Sequence, residues 1–155
     1  MILPLASGLL ESLEGKTLVT AESCTGGGIG AALTAIPGSS EVYKGGIISY
    51  TNWVKEKVLN VDAQLLKTYG AVSSEVAKAM ALGARKTLQA DVAVSVTGLA
   101  GPGGDEYGNP VGTVYIGYSD CSVTESISCF FTGSREEIRN QAVAAVLKIV
   151  LDHNS

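Results

Sequence analysis

Ile2, Leu5, Leu9 and Leu13 recur at helical spacing, which predicts an amphipathic helix over residues 2–14 with Pro4 accommodated in its first turn. The pattern then changes period. Thr17-Leu18-Val19-Thr20-Ala21 reads as a strand, Gly26-Gly27-Gly28 interrupts it, and Ile29–Ile36 forms a small-residue helix that Pro37-Gly38 ends. Gly46–Tyr50 is a second short strand, and Asn52 is placed to cap a helix through Val54, Lys55 and Val58. Ser73 or Ser74 can cap the next helix, where Val76, Met80, Ala84 and Leu88 share a face. After Asp91, the unbroken run Val92-Ala93-Val94-Ser95-Val96 suits a central strand buried on both sides. Val111–Tyr118 and Ser126–Phe131 are separated only by the short polar segment 119–125, which predicts an antiparallel hairpin. Ser134-Arg135-Glu136-Glu137 forms a capping box for a closing helix that runs to about Leu151. With no linker or repeat, these elements describe one α/β domain with helices on both faces of a mixed sheet.

Composition sharpens this picture. A chain of 155 residues, 46 % hydrophobic and 17 % charged, is large enough for a substantial core without disulfides or a metal. Nineteen glycines are well above the usual share of about 7 %. They concentrate where a chain turns sharply or admits a ligand to its backbone. The net charge of −4, with no Lys/Arg run, excludes the electrostatic footprint that nucleic acid or an anionic membrane demands. Cys24, Cys121 and Cys129 are odd in number and lack CxxC spacing, as expected of free thiols in a reducing, cytoplasmic compartment. The first residues carry no basic, apolar signal pattern, and no stretch approaches the ~20 apolar residues of a membrane span.

Candidate chemistry gathers where strands end. Ser23, Tyr50 and Thr97 each follow a predicted strand, and in an open α/β sheet ligands collect beyond the carboxyl ends of parallel strands. Ser23 precedes Thr25-Gly26-Gly27-Gly28, whose following helix would aim N–H groups near its hydroxyl; the alternative is that Ser23 is an N-cap. The sole histidine, His153, lies at the C-terminus, so a Ser-His-Asp triad is not expected, and Cys24 reads as a small buried residue beside the loop. Tyr50 and Lys55 are five residues apart across a strand-to-helix turn, and either could take the Ser23 proton. Spacing does not choose between them, and a half-buried tyrosine with a solvated lysine is the bland alternative. Gly101-Pro102-Gly103-Gly104-Asp105 could wrap a phosphate with main-chain amides, or be only a turn. Arg135 and Arg139 in the first turns of the last helix oppose its dipole and so have a ligand to meet, if they are not ordinary surface arginines. Asp105 and Glu106 are adjacent acids on a loop, no grouping has metal-ligand spacing, and neither glycine segment fits a P-loop or the full GxGxxG pattern.

Several blocks occur in order over residues 8–150: Ala21-Glu22-Ser23-Cys24-Thr25-Gly26-Gly27, Ile36-Pro37-Gly38-Ser39-Ser40, Tyr50-Thr51-Asn52, Tyr69-Gly70-Ala71-Val72-Ser73, Thr97-Gly98-Leu99-Ala100-Gly101-Pro102-Gly103-Gly104, Pro110-Val111-Gly112-Thr113-Val114 and Phe131-Thr132-Gly133-Ser134-Arg135. Together they resemble the CinA C-terminal domain family. The resemblance implies a three-layer α/β/α fold with a mixed, mostly parallel sheet, and a nicotinamide-nucleotide amidase that converts nicotinamide mononucleotide to nicotinate mononucleotide and ammonia in pyridine-nucleotide salvage. It implies a mechanism without metal or cofactor, with Ser23 as nucleophile and Tyr50 and Lys55 as its relay. Implied substrate contacts are Thr25, Gly26, Gly27, Ser40, Thr97, Gly98, Gly101, Gly103, Arg135 and Arg139. The mechanism expected from this places the oxyanion on amides at the N-terminus of the helix after Ser23. A homo-oligomer, a dimer, is the expected assembly. Trp53 and Val54 depart from the small and acidic residues expected before the lysine. The alternative function is a nucleotide-sensing or partner-binding module that keeps the pocket without turnover.

Overall fold

The structure, a computed structural model, describes residues 1–155. Its elements are α1 (Ile2–Ser12), β1 (Leu18–Glu22), α2 (Gly28–Thr34), a 3-10 turn (Ser39–Glu41), β2 (Tyr43–Ile48), α3 (Asn52–Lys57), α4 (Ala63–Tyr69), α5 (Ser74–Thr87), β3 (Val92–Gly98), β4 (Thr113–Ser119), β5 (Thr124–Phe130) and α6 (Arg135–His153). Periodicity locates nearly all of them. The exceptions are α4, where Leu66 is the only buried residue so no apolar face repeats, and the three-residue 3-10 turn. α4 is set by local chemistry, with the Asp62 carboxylate accepting from Gln64 N and Gly70 at its C-cap with φ +80°.

One five-stranded sheet runs in the order β2-β1-β3-β4-β5. β1 pairs in parallel with both β2 and β3, while β4 is antiparallel to both β3 and β5. The expectation of a mostly parallel sheet is therefore corrected: two of the four pairings are antiparallel. Parallel neighbours need a crossover that returns the chain to the same end of the sheet, which α2 and the α3–α5 segment supply; the 99–112 loop between β3 and β4 contains no helix and the tight turn between β4 and β5 can only reverse the chain.

Two cores lie on opposite faces of this sheet. α1, α2 and α6 cover one face through Leu9, Leu13, Ile29, Ile138 and Leu147, while α4 and α5 cover the other through Leu66, Val76, Met80 and Ala84. β1 shows the alternation, with Leu18 in the first core and Val19 and Ala21 in the second. β1 and β3 are buried along nearly their whole length, as central strands covered on both faces must be. Ser73 rather than Ser74 caps α5, with its hydroxyl accepting from Val76 N, and the predicted capping box of Ser134 and Glu137 opens α6. Thr51, not Asn52, caps α3: its hydroxyl accepts from Val54 N, and Asn52 becomes the first helical residue.

Candidate active site

The parallel half of the sheet brings three chain segments to one edge. Glu22 at the end of β1 is in register with Ile48 of β2 and Val96 of β3. Beyond that edge, Ser23 N donates to Val96 O at 3.0 Å and Ser49 N donates to Glu22 O at 2.7 Å, so the loops leave the sheet locked together. They enclose a cavity of ≈ 300 Å³ whose polar wall includes Ser23, Tyr50, Asn52, Lys55, Thr97 and Arg135. Ala71, Val72, Leu99 and Ala100 form its apolar wall. A pocket with one apolar side and a few convergent polar groups suits a flat ring carrying polar substituents.

Lys55 is the decisive side chain. It is 1 % exposed. Its Nζ lies 2.7 Å from Ser49 O, 3.4 Å from Tyr50 O and 3.1 Å from Ser23 Oγ. Burial disfavours the ammonium and pulls its pKa down to about 8. A neutral amine has two N–H groups and one lone pair. With the N–H groups on the two carbonyls, the lone pair faces the Ser23 hydroxyl. Sequence spacing left Lys55 and Tyr50 as alternative partners of Ser23, and only Lys55 hydrogen-bonds it. The two are reached from opposite sides of the chain: the Tyr50 carbonyl turns inward to Lys55, while its ring points out, 58 % exposed, and its phenol oxygen lies 3.2 Å from Arg135 Nη2. Cys24 is not a competing nucleophile, since burial pushes its thiol up to about 11.

Glu22 is the residue that sequence reasoning missed. It is 2 % exposed at the end of a buried strand. Its carboxylate accepts from Thr25 Oγ1 at 2.6 Å, Gly27 N at 3.2 Å, Ile29 N at 2.9 Å and Gly30 N at 3.0 Å. α2 begins with glycines, which have no side chain to cap it, so an acid from the preceding strand reaches over to do so. The available signal was an acid closing an apolar strand just before a glycine-led helix. The oxyanion is expected on amides at the N-terminus of a 25–36 helix; there Glu22 takes the N–H groups of Gly27, Ile29 and Gly30, Thr25 O takes that of Gly28 and Ser23 O that of Gly26, which leaves the Thr25 N–H.

The remaining predicted residues divide into two groups. Gly98, Gly101 and Gly103 line the cavity, and the N–H groups of Gly101 and Gly103 have no acceptor within the protein. Thr97 also lines it, with its hydroxyl donating to Ala71 O at 2.8 Å, and Arg135 reaches across the mouth to Gly101 O. Thr25, Gly26, Gly27, Arg139 and Ser40 do not line it. Thr25 and Gly27 bind Glu22, and Arg139 lies behind the loop, with Nε 3.0 Å from Cys24 O and Nη2 3.2 Å from Thr25 O. Ser40 sits before the start of β2, at the opposite end of the sheet from Ser23. Asp105 and Glu106 are outside the cavity, where Asp105 instead accepts from Tyr107 N, Asn109 N and Asn109 Nδ2 and folds the loop. Trp53 is 65 % exposed beside Asn52 and does not line the cavity.

Comparison with known proteins bears on this arrangement. The profile of the CinA C-terminal domain matches residues 5–153. A CinA-like protein of Parasynechococcus marenigrum strain WH8102 is 55 % identical over 117 residues, which is 74 % of this chain and 28 % of that protein. A CinA-like protein of Synechococcus sp. strain CC9311 is 50 % identical over 148 residues, 92 % of this chain and 35 % of that protein. The chain thus spans about a third of the length of these curated relatives. Among solved structures, the competence/damage inducible protein CihA from Agrobacterium tumefaciens superposes with a TM-score of 0.95 at 39 % identity, covering 99 % of this chain and 96 % of that one. A competence-damaged protein (CinA) superfamily protein from Escherichia coli gives 0.96 at 37 % identity, covering 99 % and 90 %. Fold, cavity and these matches agree: the chain belongs to the CinA C-terminal domain family.

Proposed function

We propose that this domain is a serine amidase that hydrolyses the carboxamide of nicotinamide mononucleotide to nicotinate mononucleotide and ammonia. The observation that carries the reading is the buried Lys55 hydrogen-bonded to Ser23 on the wall of a ring-sized cavity, with burial lowering its pKa to about 8. In this reading Lys55 takes the Ser23 proton as Oγ attacks the carboxamide carbon. The carbonyl pair moves onto oxygen, and its return expels the amine as Lys55 hands the proton to the leaving nitrogen. Water then attacks the acyl-serine, with Lys55 accepting its proton, and the acid product leaves with Ser23 restored.

The apolar wall of Ala71, Val72 and Leu99 is assigned to the pyridine ring. Arg135 and the unpaired amides of the Gly101–Gly103 segment are assigned to the 5′-phosphate. Each of these polar contacts would select against free nicotinamide, because a missing phosphate leaves them unpaired.

Ammonia release from nicotinamide mononucleotide, with the product identified by mass, tests the reading when wild type is run beside Ser23→Ala. Release by wild type alone is the expected result. Hydrolysis retained in Ser23→Ala would remove the serine mechanism. Tight nucleotide binding by wild type with no ammonia from either protein would leave a nucleotide-binding module instead.

A further inference from the structure

Two amides beside Ser23 lack the partners their neighbours have. Gly26 N donates to Ser23 O at 3.1 Å, Gly28 N donates to Thr25 O at 3.0 Å, and the N–H groups of Gly27, Ile29 and Gly30 go to Glu22. Thr25 N–H has no acceptor in the protein, although Thr25 is only 2 % exposed, and Cys24 N–H meets nothing beyond its own thiol. Buried backbone donors without acceptors are rare, because each forfeits a hydrogen bond that water would have made. These two follow the Lys55-bound hydroxyl by one and two residues.

The carbonyls of the same stretch point to Arg139. Its Nε lies 3.0 Å from Cys24 O and its Nη2 3.2 Å from Thr25 O. In a trans peptide the C=O and N–H point in opposite directions. A guanidinium that holds Cys24 O therefore fixes the direction of Thr25 N–H in the same peptide plane. The planar fork of arginine grips both carbonyls in one fixed geometry, which the rotatable ammonium of a lysine does not impose. The guanidinium lies close against the turn: a Cβ on Gly26 would sit 3.3 Å from Arg139 Nη2.

We propose that the Cys24 N–H, on the cavity wall, and the Thr25 N–H next to it bind the oxyanion formed on Ser23 attack, and that Arg139, by holding the Cys24–Thr25 peptide through Cys24 O, is the positioning residue for the Thr25 N–H. As the Oγ–carbon bond forms, the carbonyl π pair moves onto oxygen and the Ser23 proton passes to Lys55. The two amides hold that oxygen until the pair returns and the amine leaves. This replaces the substrate contact that the family resemblance implied for Arg139. It rests on the amidase reading only in taking Ser23 as an acylating nucleophile.

The test uses the full chain with Arg139→Met and Arg139→Lys. It measures turnover of nicotinamide mononucleotide and, separately, the rate at which a fluorophosphonate labels Ser23, followed by intact mass. The fluorophosphonate adduct places a phosphoryl oxygen where the oxyanion would sit. Loss of a single oxyanion donor typically costs about 100- to 1,000-fold in kcat, so loosening the Thr25 donor should lower kcat by roughly 10- to 100-fold in Arg139→Met with KM nearly unchanged. Labelling should slow in parallel, and Arg139→Lys should be intermediate. A raised KM with kcat retained would make Arg139 a substrate ligand and overturn the proposal. So would wild-type labelling of a folded Arg139→Met, or, if that variant does not fold, of Arg139→Lys. A wild type that labels at Ser23 without turning over the nucleotide defeats the substrate assignment, while the labelling rates still decide the role of Arg139. A wild type that does not label at all overturns the proposal with it.

Discussion

The chemistry proposed at Ser23 depends on a lysine that is buried without a counter-ion. Lys55 meets two carbonyls and a hydroxyl, so its pKa of about 8 follows from desolvation that no carboxylate offsets. If neutral Lys55 is the base, kcat/KM should rise about tenfold per pH unit below this value and level off above it. A flat profile from pH 6 to 9 would exclude Lys55 from the proton path. The same shift affects stability. The folded pKa lies below the ordinary lysine value of 10.5, so between about 8 and 10.5 the unfolded chain holds more protons and this group makes stability rise with pH. Lys55→Met should abolish turnover and remove that rise of the thermal midpoint with pH between about 8 and 10. Glu22 works differently at the same edge: a buried carboxylate surrounded by donors keeps the loop that carries Ser23 fixed.

At the scale of elements, the last helix is anchored at both ends. Its N-terminal turns carry Arg135 and Arg139 to the site, and its C-terminal turn ends on His153. Both imidazole nitrogens of His153 face acceptors, Nδ1 at 2.9 Å from Ile149 O and Nε2 against the Glu125 carboxylate of β5. A ring bonded to acceptors on both sides holds two protons, and the C-terminal end of the helix dipole favours that cation. Burial works against the charge, but the bonds to Ile149 and Glu125 outweigh it and raise the pKa above the usual 6.5. The ring also stacks on Tyr118 of β4, with centroids 3.9 Å apart. A raised folded pKa means that the contribution is complete below about pH 6.5 and is lost as pH rises through the folded value. His153→Gln should therefore lower stability by about 0.5 kcal/mol at pH 5.5, with the difference from wild type shrinking by pH 9. Urea unfolding at the two pH values measures it, and an equal loss at both would show that stacking, not charge, holds the helix end.

The whole molecule depends on helices lying close against both faces of the sheet. α5 crosses β3 and β4 over Gly117, where an added Cβ would sit 2.2 Å from Ala77 O and 2.5 Å from Ser95 Oγ. Ser95 joins three elements there: its hydroxyl donates to Ala77 O at 2.6 Å and accepts from Gly117 N at 3.2 Å. Gly117→Ala must lift α5 or break this bridge, and overpacking of a tight core costs about 1–3 kcal/mol. At roughly 2–4 °C per kcal/mol for a domain of this size, the thermal midpoint should fall by about 2–12 °C. An unchanged midpoint would mean that the helix and sheet are less closely apposed than these contacts require.

How much of this was legible in the chain follows from the range of each interaction. Apolar period, turn residues and caps act over a few positions, so the strands that become β1 and β3, the β4–β5 hairpin, the amphipathic face of α5 and the capping box of α6 could all be read from local pattern. The ordered sequence blocks likewise identified the family and pointed to Ser23 with Tyr50 and Lys55 as candidates, between which the sequence did not choose. Two local readings were altered by local competition, with Thr51 displacing Asn52 as the cap of α3 and Asp62 and Gly70 marking a helix in which no apolar face repeats. What no local pattern contains is direction in space. Only the folded chain decides that the Tyr50 ring turns outward while its carbonyl turns in, that Glu22 reaches over the start of α2, and that Arg139 meets the backbone of a loop 114 residues away. These outcomes depend on which groups the sheet brings within hydrogen-bonding distance, and that distance exists only once the parallel strands are in register.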